Sequence, residues 1–154
     1  MLLKRSEEPD PPTRLVPVTL GPVEAHAILS VLQGAEHPRP MTHDLMTNIM
    51  TTLQAELRRV DIHSFNEGTF FASLVFVQNG VTFVVDSRPS DAVALAVRRG
   101  APVFIDEAVF EATSVETNVV TVHIGGGGDP EKAAQILTDI HNFAENVQPG
   151  DFSL

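Results

Sequence analysis

Between Val60 and Asp86 the sequence alternates by twos around two short turn signals, and few folds accommodate that pattern. Phe70, Ala72, Leu74 and Phe76 fall on one face of a strand, and Phe71, Ser73, Val75 and Val77 on the other. Asn79-Gly80 follows at once, and both residues tolerate positive φ, the requirement of a tight hairpin. Asn66-Glu67-Gly68 turns the chain on the other side. The reading is an antiparallel meander of three strands: Val60–Phe65, the stretch through Phe70–Val77, and Val81–Asp86. A meander must bury one face against something.

The flanking segments supply the cover. Met1–Lys4 and Leu15–Leu20 read as strands, joined by a polar, proline-rich loop through Ser6–Thr13. After Gly21-Pro22, Ala25, Ile28, Leu29 and Leu32 repeat at helical spacing, and Gly34 is the expected stop. His37-Pro38-Arg39-Pro40 is excluded from helix by its prolines. Thr42 is expected to cap a second helix with the apolar face Leu45, Met46, Ile49, Met50, Leu53 and Leu57. Pro89 opens a third, where a missing N–H costs nothing, and Ala92–Val97 is apolar nearly all round, so it is expected to be buried on several sides. Gly100 stops it; Val103-Phe104-Ile105 is a short strand and Asp106–Ala112 a short acidic helix.

Past Ala112 the character changes. Val119–Ile124 reads as a strand and Gly125–Gly128 as a flexible joint. Asp129-Pro130-Glu131 starts a helix with an apolar stripe from Ala133 to Val147. The expected fold class is therefore α+β: a mixed, largely antiparallel sheet with packed helices and a C-terminal amphipathic helix. Three regions follow: an N-terminal strand and loop (1–14), the central domain (15–112), and a C-terminal extension (113–154).

Composition removes several functions. No stretch approaches the roughly 18 apolar residues of a membrane span, and Lys4-Arg5 is followed by Ser-Glu-Glu-Pro rather than an apolar signal core. A cytoplasmic protein without membrane attachment is expected. With no cysteine, disulfides, zinc thiolates and a thiol nucleophile are excluded. The net charge is −10; residues 15–112 hold six arginines against eleven acids, and no basic stripe appears. That disfavours avid binding to polyanions. No P-loop or G-x-S-x-G elbow is present, and His26, His37, His63, His123 and His141 lack metal-site spacing.

Two polar groups stand out, each with two readings. His43-Asp44 lies in a helix first turn, where Asp44 can serve the dipole, or an imidazole and a carboxylate can share a metal, water or phosphate. Around Asp86–Asp91, Asp91 can charge a helix start with Arg88 paired to Asp86. Alternatively, Arg88 can hold a phosphate beside two carboxylates. Glu24 occupies another first turn, where the dipole favours an acid. Gly68-Thr69-Phe70-Phe71 is either plain core or an aromatic platform for bases.

In order, Gly21-Pro22-x-Glu24-Ala25, Pro38-Arg39-Pro40-x-Thr42-His43-Asp44-Leu45, Gly68-Thr69-Phe70, Arg88-Pro89-Ser90-Asp91-Ala92-Val93-Ala94-Leu95-Ala96 and Ala101-Pro102-Val103 resemble the bifunctional nuclease domain of bacteria and plants. The resemblance covers Leu15 to Ala112 and leaves the glycine joint and last helix outside. It implies an α+β fold, a homo-oligomer, and hydrolysis of both DNA and RNA. It also marks Glu24, Arg39, Thr42, His43, Asp44, Arg88, Ser90 and Asp91 as motif positions.

A nuclease with so acidic a site implies a divalent metal, Mg²⁺ or Mn²⁺, because carboxylates alone repel a phosphate. On that reading Asp44, Asp91, Glu24 and Asp86 are the expected ligands. His43, Asp44 and Asp91 are the catalytic candidates, with His43 as general acid or base. Arg39, Arg88 and Ser90 bind substrate. The competing expectation is a non-catalytic oligomeric module with a pocket for an anionic metabolite or a protein partner.

Overall fold

A computed structural model describes residues 1–6 and 12–116. In chain order the elements are β1 (Leu2–Leu3), β2 (Arg14–Pro17), α1 (Pro22–Leu32) and α2 (Thr42–Thr52). The meander follows as β3 (Glu56–Asn66), β4 (Thr69–Gln78) and β5 (Val81–Ser87). Then come α3 (Pro89–Arg99), β6 (Val103–Ile105), α4 (Glu107–Thr113) and β7 (Val115–Glu116). The fold class is α+β as expected. The strand at Val119–Ile124, the glycine joint and the last helix lie outside the described residues.

The larger sheet has the order β5-β4-β3-β6, antiparallel except for the parallel β3–β6 pair. A small sheet, β1-β2-β7, joins the N-terminal strand to the segment after α4, and the compact unit spans Met1–Thr117. Both meander turns use positive φ, at Glu67-Gly68 and Asn79-Gly80, the conformation that tight hairpins need.

α3 lies across the sheet because it has little but small apolar side chains to offer. Ala92, Leu95 and Ala96 are buried against Val60, Ile62, Ala72 and Leu74. Its other flank packs Val93 and Ala94 against Ile28 of α1. Alanines on both flanks let neighbouring backbones approach, and each large side chain enclosed contributes about 1.5–3 kcal/mol. Pro89 sits at the first turn, and Gly100 closes the helix in the left-handed conformation at φ 63°, where a Cβ would be strained.

Two expectations about α2 are corrected. The N-cap is Met41, not Thr42, and the side chain that reaches back is that of Asp44, which accepts the Met41 N–H at 2.9 Å. The helix also stops at Thr52, Gln54 turns the chain with φ 55°, and Leu57 belongs to β3. β3 therefore begins four residues before the expected Val60. Leu57 was drawn to the helix by its spacing, yet it pairs with Phe76 and is buried in the sheet core.

β3 is broken in register between Leu57 and Arg59, and again between Ile62 and Ser64. Each irregularity shifts the alternation by one residue. Leu57, Val60, Ile62 and Phe65 consequently share the helix-covered face, opposite Phe76, Leu74, Ala72 and Phe70. A regular strand would have sent Phe65 to the other side.

Candidate functional site

The site grows from two helix starts that α3 and its neighbours bring together. Pro89 at the first turn of α3 leaves Arg88 as the N-cap and places Asp91 one turn on. Residues three apart on a helix are neighbours, and Arg88 grips Asp91 with both arms: Nε to Oδ2 at 2.7 Å and Nη2 to Oδ1 at 3.1 Å. Its third nitrogen, Nη1, donates to Glu24 Oε1 of α1 at 3.2 Å. His43, the second residue of α2, brings Nε2 to 3.2 Å from Asp91 Oδ1.

These four side chains form one chain, Glu24–Arg88–Asp91–His43, drawn from three helices. Its electrostatics follow from the contacts. The Arg88 guanidinium holds the Asp91 carboxyl below its ordinary range; burial opposes the shift and His43 adds to it. Asp91 in turn raises the basicity of Arg88. The imidazole is largely enclosed, with its side chain 14% exposed, while the Arg88 side chain is 65% exposed. A fixed carboxylate on one ring nitrogen sets imidazole orientation and tautomer, and an open guanidinium beside it can receive an anion.

Asp44 turns away from that chain. It accepts from Arg98 Nε at 2.7 Å as well as from the Met41 amide, and these contacts, Arg98 first, lower its pKa. Arg98 is only 6% exposed and also donates to the carbonyls of Ala27 and Ala94, at 2.8 and 2.9 Å. One guanidinium thus ties α1, α2 and α3 together behind the site.

Two cavities flank the Glu24–Arg88 pair, and both residues line each of them. One, of about 500 Å³, also contains His43, Asp91, His26, His37 and Arg98. The other, of about 610 Å³, opens towards the β3–β4 turn and includes Ser90, Phe65 and Phe70.

The remaining candidates divide. Ser90 is buried and lines the larger cavity. Asp86 is exposed and lines the smaller one, but Arg88 pairs with Asp91 and Glu24 instead. Bonding one turn along a helix and across to α1 gives each of its three nitrogens one acceptor and uses three of its five N–H groups. Arg39 is exposed between α1 and α2, with no ion pair among the described residues.

The expected metal ligands do not converge. Glu24 and Asp91 are held by Arg88 and Asp44 by Arg98. Among the described residues no three His, Asp or Glu side chains are grouped to hold a metal ion. Arg88 takes both oxygens of Asp91 but one of Glu24. Asp44 gives one oxygen to Arg98 and the other to the Met41 amide, so a metal would compete with these donors for the carboxylates.

Sequence reasoning did not single out His26, His37 or Arg98. The rings of His26 and His37 stand 6.3 Å apart, edge to face, on the wall of the smaller cavity. Neither has a spacing signal, since α1 and the loop before α2 meet only in three dimensions. Arg98 carried one usable hint: a charge at the end of a helix otherwise too apolar to face water.

Residues 1–118 match the bifunctional nuclease domain. Two uncharacterized proteins of Mycobacterium tuberculosis, from strains CDC 1551 / Oshkosh and H37Rv, are each 36% identical over 143 residues, 90% of this chain and 81% of the relative. Among the described residues no helix is long and apolar enough to cross a membrane.

Proposed function

The chain belongs to the bifunctional nuclease domain family, and on that premise we propose that it hydrolyses phosphodiester bonds of DNA and RNA at the Glu24–Arg88–Asp91–His43 chain. The observation that carries the reading is the 3.2 Å contact of His43 with Asp91 on the wall of a cavity, beside an exposed arginine. His43 acts as general base towards the attacking hydroxyl or water, or as general acid towards the leaving oxygen. Asp91 fixes the ring. Arg88 receives the phosphate, its fork pre-set by Asp91 and Glu24, so the charge that develops in the transition state meets a fixed cation. Asp44 acts at one remove, through Arg98, by holding the start of α2.

No step is routed through a metal, since the carboxylates that would bind one are engaged with arginines. Mg²⁺ or Mn²⁺ enters as a variable of the test. Labelled single- and double-stranded DNA and RNA are incubated with wild type, His43→Ala and Asp91→Asn, with either ion and with chelator. The expected result is cleavage by wild type and a loss of about a hundredfold or more in both variants. Equal cleavage by all three assigns the activity to a contaminant or another site.

A second reading is supported by the charge balance. The exposed Arg58 and Arg59 are paired with Glu56 and Asp61, which leaves little free positive surface for a long polyanion. On that reading the same cavity takes a small anionic metabolite and performs no chemistry; binding without turnover in the assay above distinguishes it. Homo-oligomeric assembly and a cytoplasmic setting belong to the same proposal. Assembly is supported by Leu45, Ile49 and Leu53 on α2 and Phe83 and Val84 on β5, all exposed, with β5 an unpaired sheet edge among the described residues. Apolar surface of that kind commonly marks an interface.

A further inference from the structure

The larger cavity shares Glu24 and Arg88 with the chemistry just described, and the rest of its lining has no role in it. Its lining includes Arg88, shared with the smaller cavity. It also includes Phe65 and Phe70, directly opposed across β3 and β4, ring centroids 4.6 Å apart and planes 50° apart. Phe70 is partly buried and packs on two core clusters, so its place is fixed. Phe65 leans on it and remains 42% exposed. Its contact with Phe70 supports the end of the hairpin, and the rest of the ring is open.

The strand is bent to put it there. The register break between Ile62 and Ser64 turns Phe65 onto the face of the sheet that bears the helices. Bulges that re-aim one side chain are over-represented beside functional sites. The rest of the lining is mixed, with Thr69 and Thr113 as well as Val18 and Leu20. A volume near 610 Å³ falls in the range of small-ligand pockets. The chemistry asked for is a flat apolar ring with polar edges that also carries an anion.

We propose that this cavity is a nucleobase subsite, which seats one unpaired base of the substrate against Phe65 while its phosphate reaches Arg88. The proposal rests on the phosphodiesterase reading and adds a substrate preference to it. A base can reach Phe65 only when it is not paired in a duplex, so single-stranded nucleic acid is the preferred form. Stacking on an aromatic tolerates any base, so little sequence selectivity accompanies it.

The chain contains neither tryptophan nor tyrosine, so Phe65→Trp installs a single fluorophore at the subsite. Adenosine and uridine monophosphate, ribose 5-phosphate and inorganic phosphate are titrated against it. The proposal expects quenching by both nucleotides and none by the base-free phosphates. No quenching, or equal quenching by inorganic phosphate, overturns it. Separately, Phe65→Ala is expected to raise KM for single-stranded oligonucleotides roughly tenfold. Its melting temperature should change little, because the ring is partly exposed. An unchanged KM with wild-type cleavage overturns the subsite and leaves the nuclease reading intact. Nucleotide quenching by a protein that cleaves nothing upholds the subsite and removes the nuclease reading.

Discussion

Removing Asp44 should cost more stability than removing the arginine it binds. The Arg98 side chain is 6% exposed and that of Asp44 33%. Asp44→Ala leaves an enclosed guanidinium without its counter-charge, a loss of about 3 kcal/mol at the low end for broken enclosed pairs, because Asp44 has some access to water. The lost contact to the Met41 amide adds about 0.5–1 kcal/mol. Arg98→Met leaves less unsatisfied. The Ala27 and Ala94 carbonyls keep their own helix partners, and Asp44 retains water and Met41, so about 2 kcal/mol is expected.

In the double variant no buried charge remains, and the total should be about 3 kcal/mol rather than the additive 5 or more. Urea unfolding of the four proteins at neutral pH measures the cycle. A coupling of about 2.5–3 kcal/mol is the expected result; one below about 0.5 kcal/mol would refute the reasoning. The pH dependence has a fixed sign. Because Arg98 lowers the folded-state pKa of Asp44, the contribution is complete above the unfolded value, near pH 4, and is lost as pH falls through the lower folded value.

Other outcomes follow from the same geometry. A Cβ on Gly21 would collide with the Glu24 carboxylate, so Gly21→Ala should displace Glu24 from Arg88 and lower kcat/KM severalfold. The stability loss should stay under about 1 kcal/mol, since a flexible side chain can move. Asp91, whose pKa Arg88 also lowers, should stabilise wild type over Asp91→Asn above about pH 4. The two melting temperatures should converge in stronger acid. Phe110 is 2% exposed beneath the guanidinium groups of Arg5 and Arg14, and Phe110→Ala should cost about 3–5 kcal/mol in urea unfolding. Leu45→Glu with Val84→Glu should give monomers by sedimentation if α2 and β5 form the assembly surface.

The sheet was legible because its signals are local. Asn79-Gly80 and the alternation of Phe70–Val77 specify a hairpin without knowledge of anything else. The burial of α3 was equally plain from its run of small apolar residues. Helix α2 misled, because periodicity says which side chains share a face but not whether that face is covered. Leu45, Ile49 and Leu53 share one, and it is exposed. The register breaks in β3 left no mark in the sequence, so the destination of Phe65 was hidden.

At the candidate site, motif order set His43, Arg88 and Asp91 side by side, and both His43 and Arg88 contact Asp91, whereas the reading from spacing alone paired Arg88 with Asp86. Their separation of 48 residues between His43 and Asp91 carries no local signal, so only a resemblance or a structure can join them. The same limit applies to Arg98. Its partner Asp44 lies 54 residues away on another helix.

The central claim is that the imidazole of His43 moves the proton in phosphodiester cleavage, and chemical rescue tests it most directly. His43→Ala is assayed on single-stranded RNA and DNA with and without added imidazole, beside wild type and His43→Ala/Asp91→Asn. The account predicts a loss of about a hundredfold or more in His43→Ala. Added imidazole should recover part of it, with weaker recovery once Asp91 cannot orient the ring. A His43→Ala protein that cleaves as fast as wild type would contradict it.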